Sequence, residues 1–95
     1  MNKDLLNYRF IVPYDEDGKK FLNKKFKDKK QTSDGSPFCT FNEGWILSNE
    51  ELESIDKDSI KLRVYEIRDN FCDIDDFISA FWDGDVEDDD FIKID

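Results

Sequence analysis

The chain has no histidine, so the side chain best suited to moving protons near neutral pH is missing. Its two cysteines, Cys39 and Cys72, stand far apart and form no Cys-x-x-Cys pair, which removes the spacing of zinc and dithiol motifs. Two reduced thiols in a cytosolic protein are the simplest reading, with a disulfide between them left open. There is no Gly-rich phosphate loop and no nucleophile elbow. No apolar run approaches the length of a membrane span, and the start Met1-Asn-Lys-Asp4 carries no apolar signal region. These absences point to a cytoplasmic protein that is not an enzyme, with no cofactor and no membrane partner.

Acidic and aromatic residues are abundant instead. The 95 residues carry a net charge of −10, with 40% charged side chains and 38% hydrophobic ones, a balance close to that of disordered chains. Nine Phe, three Tyr and two Trp shift it towards folding, because each large ring buries much apolar area. One domain spanning residues 1–95, with a small aromatic core, is the expectation.

The charge is unevenly distributed. Residues 69–95 hold eleven acids and a single base, Lys93, which accounts for the entire net charge, while residues 1–68 are balanced. Within the balanced part, Lys19–Lys30 contains seven lysines against one acid. A strongly negative surface repels nucleic acid and anionic membrane and attracts basic surfaces.

Periodicity gives a coarse order of elements. Tyr8–Tyr14 alternates as a strand, and Asp15–Lys30 reads as a helix with acids first, lysines last and Phe21, Leu22 and Phe26 inward. Gln31–Ser36 has loop composition. Pro37–Phe41 and Trp45–Leu47 read as short strands around an Asn42-Glu43-Gly44 turn, with Gly44 available for a left-handed conformation. Ser48-Asn-Glu-Glu51 is a capping box opening a short helix to about Asp56. Ile60–Ile67 reads as a half-buried strand, with Ile60, Leu62 and Val64 inward and Lys61, Arg63 and Tyr65 outward. The expected class is α+β, a short and mostly antiparallel sheet with two to four short helices.

The acidic segment 69–95 is read as helical. Ile74, Phe77, Ile78 and Phe81 share one helix face, Asp73 can cap the N-terminus, and Gly84 suits the left-handed residue that ends it. Asp85 can cap a further turn over Glu87–Asp90. Phe91–Asp95 fits a helix or a strand, and the helix is preferred. Six carboxylates lie within Asp83–Asp90, a density that is costly by mutual repulsion. The stretch lacks the ligand order and distal Glu of an EF-hand loop, so no metal is expected. A solvated surface, or a fold-back of Lys19–Lys30 onto the acids, would explain the charges without any partner. Because aromatic residues interleave with the acids and fix their positions, a binding surface is preferred: Asp83, Asp85, Glu87, Asp88, Asp89 and Asp90 are the candidate contacts to a basic partner. Carboxylates so placed can imitate duplex phosphates in a nucleic-acid-binding protein's own site.

Phe77-Ile-Ser-Ala-Phe81, Gly84 and Glu87-Asp-Asp-Asp-Phe91 together resemble the C-terminal part of small prophage-encoded anti-CRISPR proteins. The resemblance covers residues 77–91. It implies an acidic inhibitor that occupies the site at which Cas9 recognises its PAM duplex, with contact roles for Glu87, Asp88, Asp89 and Asp90. The spacing after Gly84 is shorter than in that family, and Lys19–Lys30 has no counterpart there. Ser48–Ile67 also looks like the helix-then-strand ending of small accessory proteins of phages that infect Gram-positive bacteria. The expected function is inhibition of a host nucleic-acid-binding defence protein, a CRISPR effector first, from the cytoplasm of an infected bacterium. The alternatives are a non-enzymatic assembly module and an immunity-type protein that neutralises a basic nuclease.

Overall fold

In the computed structural model, which describes residues 3–35 and 39–94, the chain forms a five-stranded antiparallel sheet with helices on both faces. The α+β expectation holds. In chain order the elements are α1 (Lys3–Leu6), β1 (Tyr8–Pro13), α2 (Glu16–Lys25), β2 (Lys30–Thr32), β3 (Glu43–Ser48), α3 (Asn49–Glu53), β4 (Leu62–Ile67), α4 (Ile74–Trp82) and β5 (Phe91–Lys93). The strand order is β2-β3-β1-β4-β5. Single 3-10 turns at Lys27–Lys29 and Asp88–Asp90 lead into β2 and β5.

Because side chains alternate along a strand, the sheet feeds two separate cores. Phe10, Val12, Ile46, Tyr65, Ile67 and Phe91 point to one face and meet Ile74, Phe77 and Phe81 of α4. Ile11, Trp45, Leu47, Leu62 and Val64 point to the other, against Leu22 and Phe26 of the α2 region and Leu52 and Ile55 of the α3 region. The central strands are therefore apolar on both sides. This corrects the half-buried reading of β4, since Tyr65 is buried opposite Phe10 of β1.

Local signals place the helices. Asp15 caps α2 by accepting from Gly18 N at 2.8 Å, and Gly18 is buried where its missing side chain admits Pro13 and the Lys61 carbonyl. The α2 helix stops at Lys25, short of Lys30, because the chain turns at Phe26 to start β2. The capping box at α3 is present, with Ser48 N donating to Glu51 Oε1 at 2.9 Å and Glu51 N donating to Ser48 Oγ at 3.1 Å. That helix ends at Glu53, also earlier than expected.

The β2–β3 region departs most from the sequence reading. Gln31 and Thr32, expected in a loop, pair with Gly44 and Glu43. Cys39–Phe41 form no strand, and Pro37 and Phe38 lie outside the described residues. Gly44 is in the body of β3 and does not have a positive φ. It is glycine because the Phe10 ring lies across it, where a Cβ would overlap the ring atoms. Phe10 cannot move aside, since the rings of Phe41, Phe77, Phe81 and Phe91 surround it with centroids 4.7–6.1 Å away. Gly44→Ala is expected to lower unfolding free energy by at least the roughly 1–3 kcal/mol typical of core overpacking, read from chemical denaturation. An unchanged midpoint would show that the aromatic cluster can relax.

Candidate functional site: the acidic segment

Helix α4 forms as its sequence dictates. The Asp73 side chain accepts from Asp76 N at 2.8 Å, and Asp75 and Asp76 occupy the first turn, where the helix dipole favours negative charge. Asp76 Oδ2 in turn accepts from Cys72 N at 2.9 Å. At the other end, Gly84 has φ +76°, its N–H donates to the Phe81 carbonyl at 3.1 Å, and Asp85 N donates to the Ala80 carbonyl at 2.8 Å. That pair of bonds is a Schellman motif, closed by the glycine. Trp82 ties the helix end to the far edge of the sheet: its Nε1 donates to Gln31 Oε1 at 2.6 Å, and its carbonyl accepts from Asp34 N at 3.1 Å.

Beyond α4 the segment is anchored at alternate residues. Val86 is fully buried in the aromatic core. Asp88 accepts at 2.7 Å from both the N–H and the Oγ of Thr40, 48 residues away in sequence. Asp90 is only 7% exposed. Its two carboxyl oxygens take hydrogen bonds from Asn70 Nδ2 at 2.8 Å and from Glu87 N at 2.9 Å. Its carbonyl accepts from Arg68 N at 2.8 Å, which starts the pairing of β5 with β4. Phe91–Lys93 is thus a strand and not the preferred helix, because it completes the hydrogen bonds of β4 and buries Phe91.

The six candidate acids therefore separate. Asp83, Asp85, Glu87 and Asp89 are exposed; Glu87 also shares a capping box with Asp90 at the start of the 3-10 turn, while no hydrogen bond or ion pair from the described residues reaches the carboxylates of Asp83, Asp85 and Asp89. Asp90 faces inward, which corrects its assignment as a contact residue. Asp88 is exposed but committed to Thr40. Thr40 and Asn70, the partners of the two structural acids, were not singled out in the sequence, and neither lies in a local motif with its acid.

The lysine-rich segment has its own partners. Lys19 and Lys30 reach Glu43 at 3.1 and 3.3 Å, and Lys29 lies 3.8 Å from Glu51. Burial resists ionisation of Glu43, but the two lysine contacts outweigh it and lower its pKa. Among the described residues no ion pair joins Lys19–Lys30 to the acidic segment. Nor do the described residues group three or more carboxylates or thiols as a metal site. Cys39 and Cys72 are free, and burial raises the Cys39 thiol pKa. Clefts of 250 and 440 Å³ open around Tyr14, and neither is lined by residues 83–90. Among the described residues no helix is long and apolar enough to cross a membrane.

Protein-family models, curated proteins and solved structures offer no significant match to this chain. What the segment can do chemically must be read from its own geometry. It presents acceptor charge on an open surface held by buried anchors.

Two outcomes follow. Asp90→Asn leaves one oxygen facing two donors, so its amide must confront either Asn70 or the Glu87 N–H. Stability is expected to fall by about 1–3 kcal/mol, the cost of an unsatisfied buried group; equal unfolding curves would show the anchor is dispensable. For Asp88, the Thr40 backbone and hydroxyl bonds hold the carboxyl pKa below the usual range. A lowered folded-state pKa stabilises above the ordinary aspartate value of about 3.9 and is lost as pH falls through the lower one. Thr40→Val removes the hydroxyl donor, so the Asp88 carboxyl carbon should titrate at higher pH by NMR than in the parent protein. Its stability deficit should be full at neutral pH and vanish in acid.

Proposed function

We propose that this protein is a non-enzymatic inhibitor that binds a basic nucleic-acid-binding protein, with the exposed carboxylates taking the place of nucleic-acid phosphates. The observation that carries the reading is the row of outward acids at every second residue, Asp83, Asp85, Glu87 and Asp89, between the anchors Gly84, Val86, Asp88 and Asp90. Carboxylates on a fixed backbone lose little conformational freedom on binding, unlike those of a disordered acidic tail. They also repel one another in the free protein, and a cluster of lysines and arginines relieves that repulsion. A CRISPR effector that recognises a short DNA duplex through basic residues is the first candidate target, met in the cytoplasm of an infected bacterium. The resemblance of residues 77–91 to anti-CRISPR proteins supports that choice.

The test replaces Asp83, Asp85 and Asp89 by Asn and Glu87 by Gln, and measures binding to a purified Cas9–guide RNA complex. Because these side chains are exposed, and Gln at position 87 keeps an oxygen that can accept in the capping box, the melting temperature should stay level or rise. Affinity should fall by about 1–3 kcal/mol for each critical contact, decline steeply with salt, and be competed by a duplex carrying the PAM. Lys24, Lys25 and Lys27, changed together to Gln, should leave binding intact. If the four-residue amide variant binds as well as the parent, or if DNA and protein occupy the effector together, the mimicry reading fails.

A further inference from the structure

The two edges of the sheet are built differently. The β2 edge carries Lys29 and Lys30, is bound through Gln31 by Trp82, and has α4 packed against it. Charged residues and a covering element are the usual protection of a strand edge. The β5 edge lacks that protection. Ile92 and Ile94 are 47% and 48% exposed, and no described residue pairs with the outer side of the strand. Lys93, its only charged residue, leans back onto Tyr14, with Nζ 3.4 Å from the hydroxyl oxygen and 5.9 Å from the ring centroid.

Register identifies the free groups. Arg68 N donates to the Asp90 carbonyl and Ile94 N to the Val64 carbonyl, so the even-numbered residues of β5 bond inward to β4. The backbone of Lys93 therefore points away from the sheet, and its N–H and carbonyl have no partner among the described residues. The Phe91 carbonyl points the same way, while its N–H is used by Asp88. Ile92 and Ile94 lie on the face of Val64, where an added strand would pack its own side chains against them.

We propose that the outer edge of β5 receives an extended segment of the partner, rich in alternating apolar and basic residues, by strand addition. This rests on the acidic-recognition reading above and supplies its docking mode. Charge selects the occupant. The strand begins where the Asp88–Asp90 turn ends, with Glu87 and Asp89 exposed beside it. A basic strand running along the edge meets those acids, whereas a second copy of this chain brings a further −10 against them. Backbone hydrogen bonds supply part of the affinity and the isoleucines the packing, as in other strand-addition interfaces.

The probe is a blocked peptide of alternating Val and Lys, titrated at low salt and followed by amide NMR and hydrogen exchange. The expected result is slowed exchange of the Lys93 N–H on binding. Affinity should drop about tenfold, the loss of one or two such hydrogen bonds, in Lys93→Pro but not in Lys93→Gln. N-methylation of alternate peptide residues should weaken binding to the parent protein equally, which keeps the test independent of how Lys93→Pro folds. If binding depends on Asp83, Asp85, Glu87 and Asp89 but is indifferent to Lys93→Pro and to N-methylation, the edge proposal is overturned while acidic recognition stands. Absence of binding overturns the edge proposal. If binding occurs but neither set of changes alters it, both readings fall. Protection of Lys93 that grows with protein concentration in the absence of peptide identifies a second copy as the occupant and also overturns it.

Discussion

The ring of Phe10 is the point on which this molecule closes. Its tip occupies the space a side chain at Gly44 of the neighbouring strand would need, and it touches rings contributed by α4, β5 and the loop that contains Phe41. Each of those pieces belongs to a different part of the chain, and three of them bear the acidic surface or its pins. Phe77 and Phe81 hold the helix that precedes the carboxylate row, Phe91 holds the strand that follows it, and Phe41 sits next to Thr40, which holds Asp88. The positions of the outward acids are thus set by apolar packing on the inward side. Electrostatic repulsion among them is tolerated because the aromatic cluster, and not the acids themselves, decides where the backbone runs.

A run that looks uniform in composition is functionally divided by its geometry. Between Asp83 and Asp90 the chain alternates between residues held by the body of the protein and residues facing solvent. Asp90 is the extreme case. It uses both oxygens to satisfy donors at a bend where the backbone leaves a 3-10 turn for a strand. The same side-chain type one position earlier, at Asp89, is exposed and faces solvent. A carboxylate on such a segment can be a capping group or a recognition group, and the hydrogen-bond donors within reach determine which.

Features specified by neighbours in sequence were legible before the structure. The Asp73 cap, the i, i+3, i+4 stripe of α4, the left-handed Gly84 and the Ser48–Glu51 box each need only a few adjacent residues, and each is present. Features that depend on distant partners were not. Tyr65 looks solvent-facing when β4 is read alone, because nothing local announces that α4 covers that side. Gly44 suggests a turn until Phe10 is placed over it. Gln31 and Thr32 have loop composition, and only pairing with β3 makes them a strand. For the same reason the pins at Asp88 and Asp90 were indistinguishable from their neighbours, since Thr40 and Asn70 lie 48 and 20 residues away.

The strand order has a consequence for how the chain reaches this state. The first strand, β1, is central, flanked by β3 and β4, so neither of its partners exists when it leaves the site of synthesis. Phe10 and Ile11 must remain unpaired until β3, at the middle of the chain, has emerged, and Val12 until β4 has followed. β5 then adds beside β4 and brings Phe91 onto Phe10. Assembly must wait for contacts of long sequence separation, a topology that folds slowly. During that interval the aliphatic stretch of β1 is exposed, with charge on either side of it, at Arg9 and at Asp15–Asp17, to oppose association.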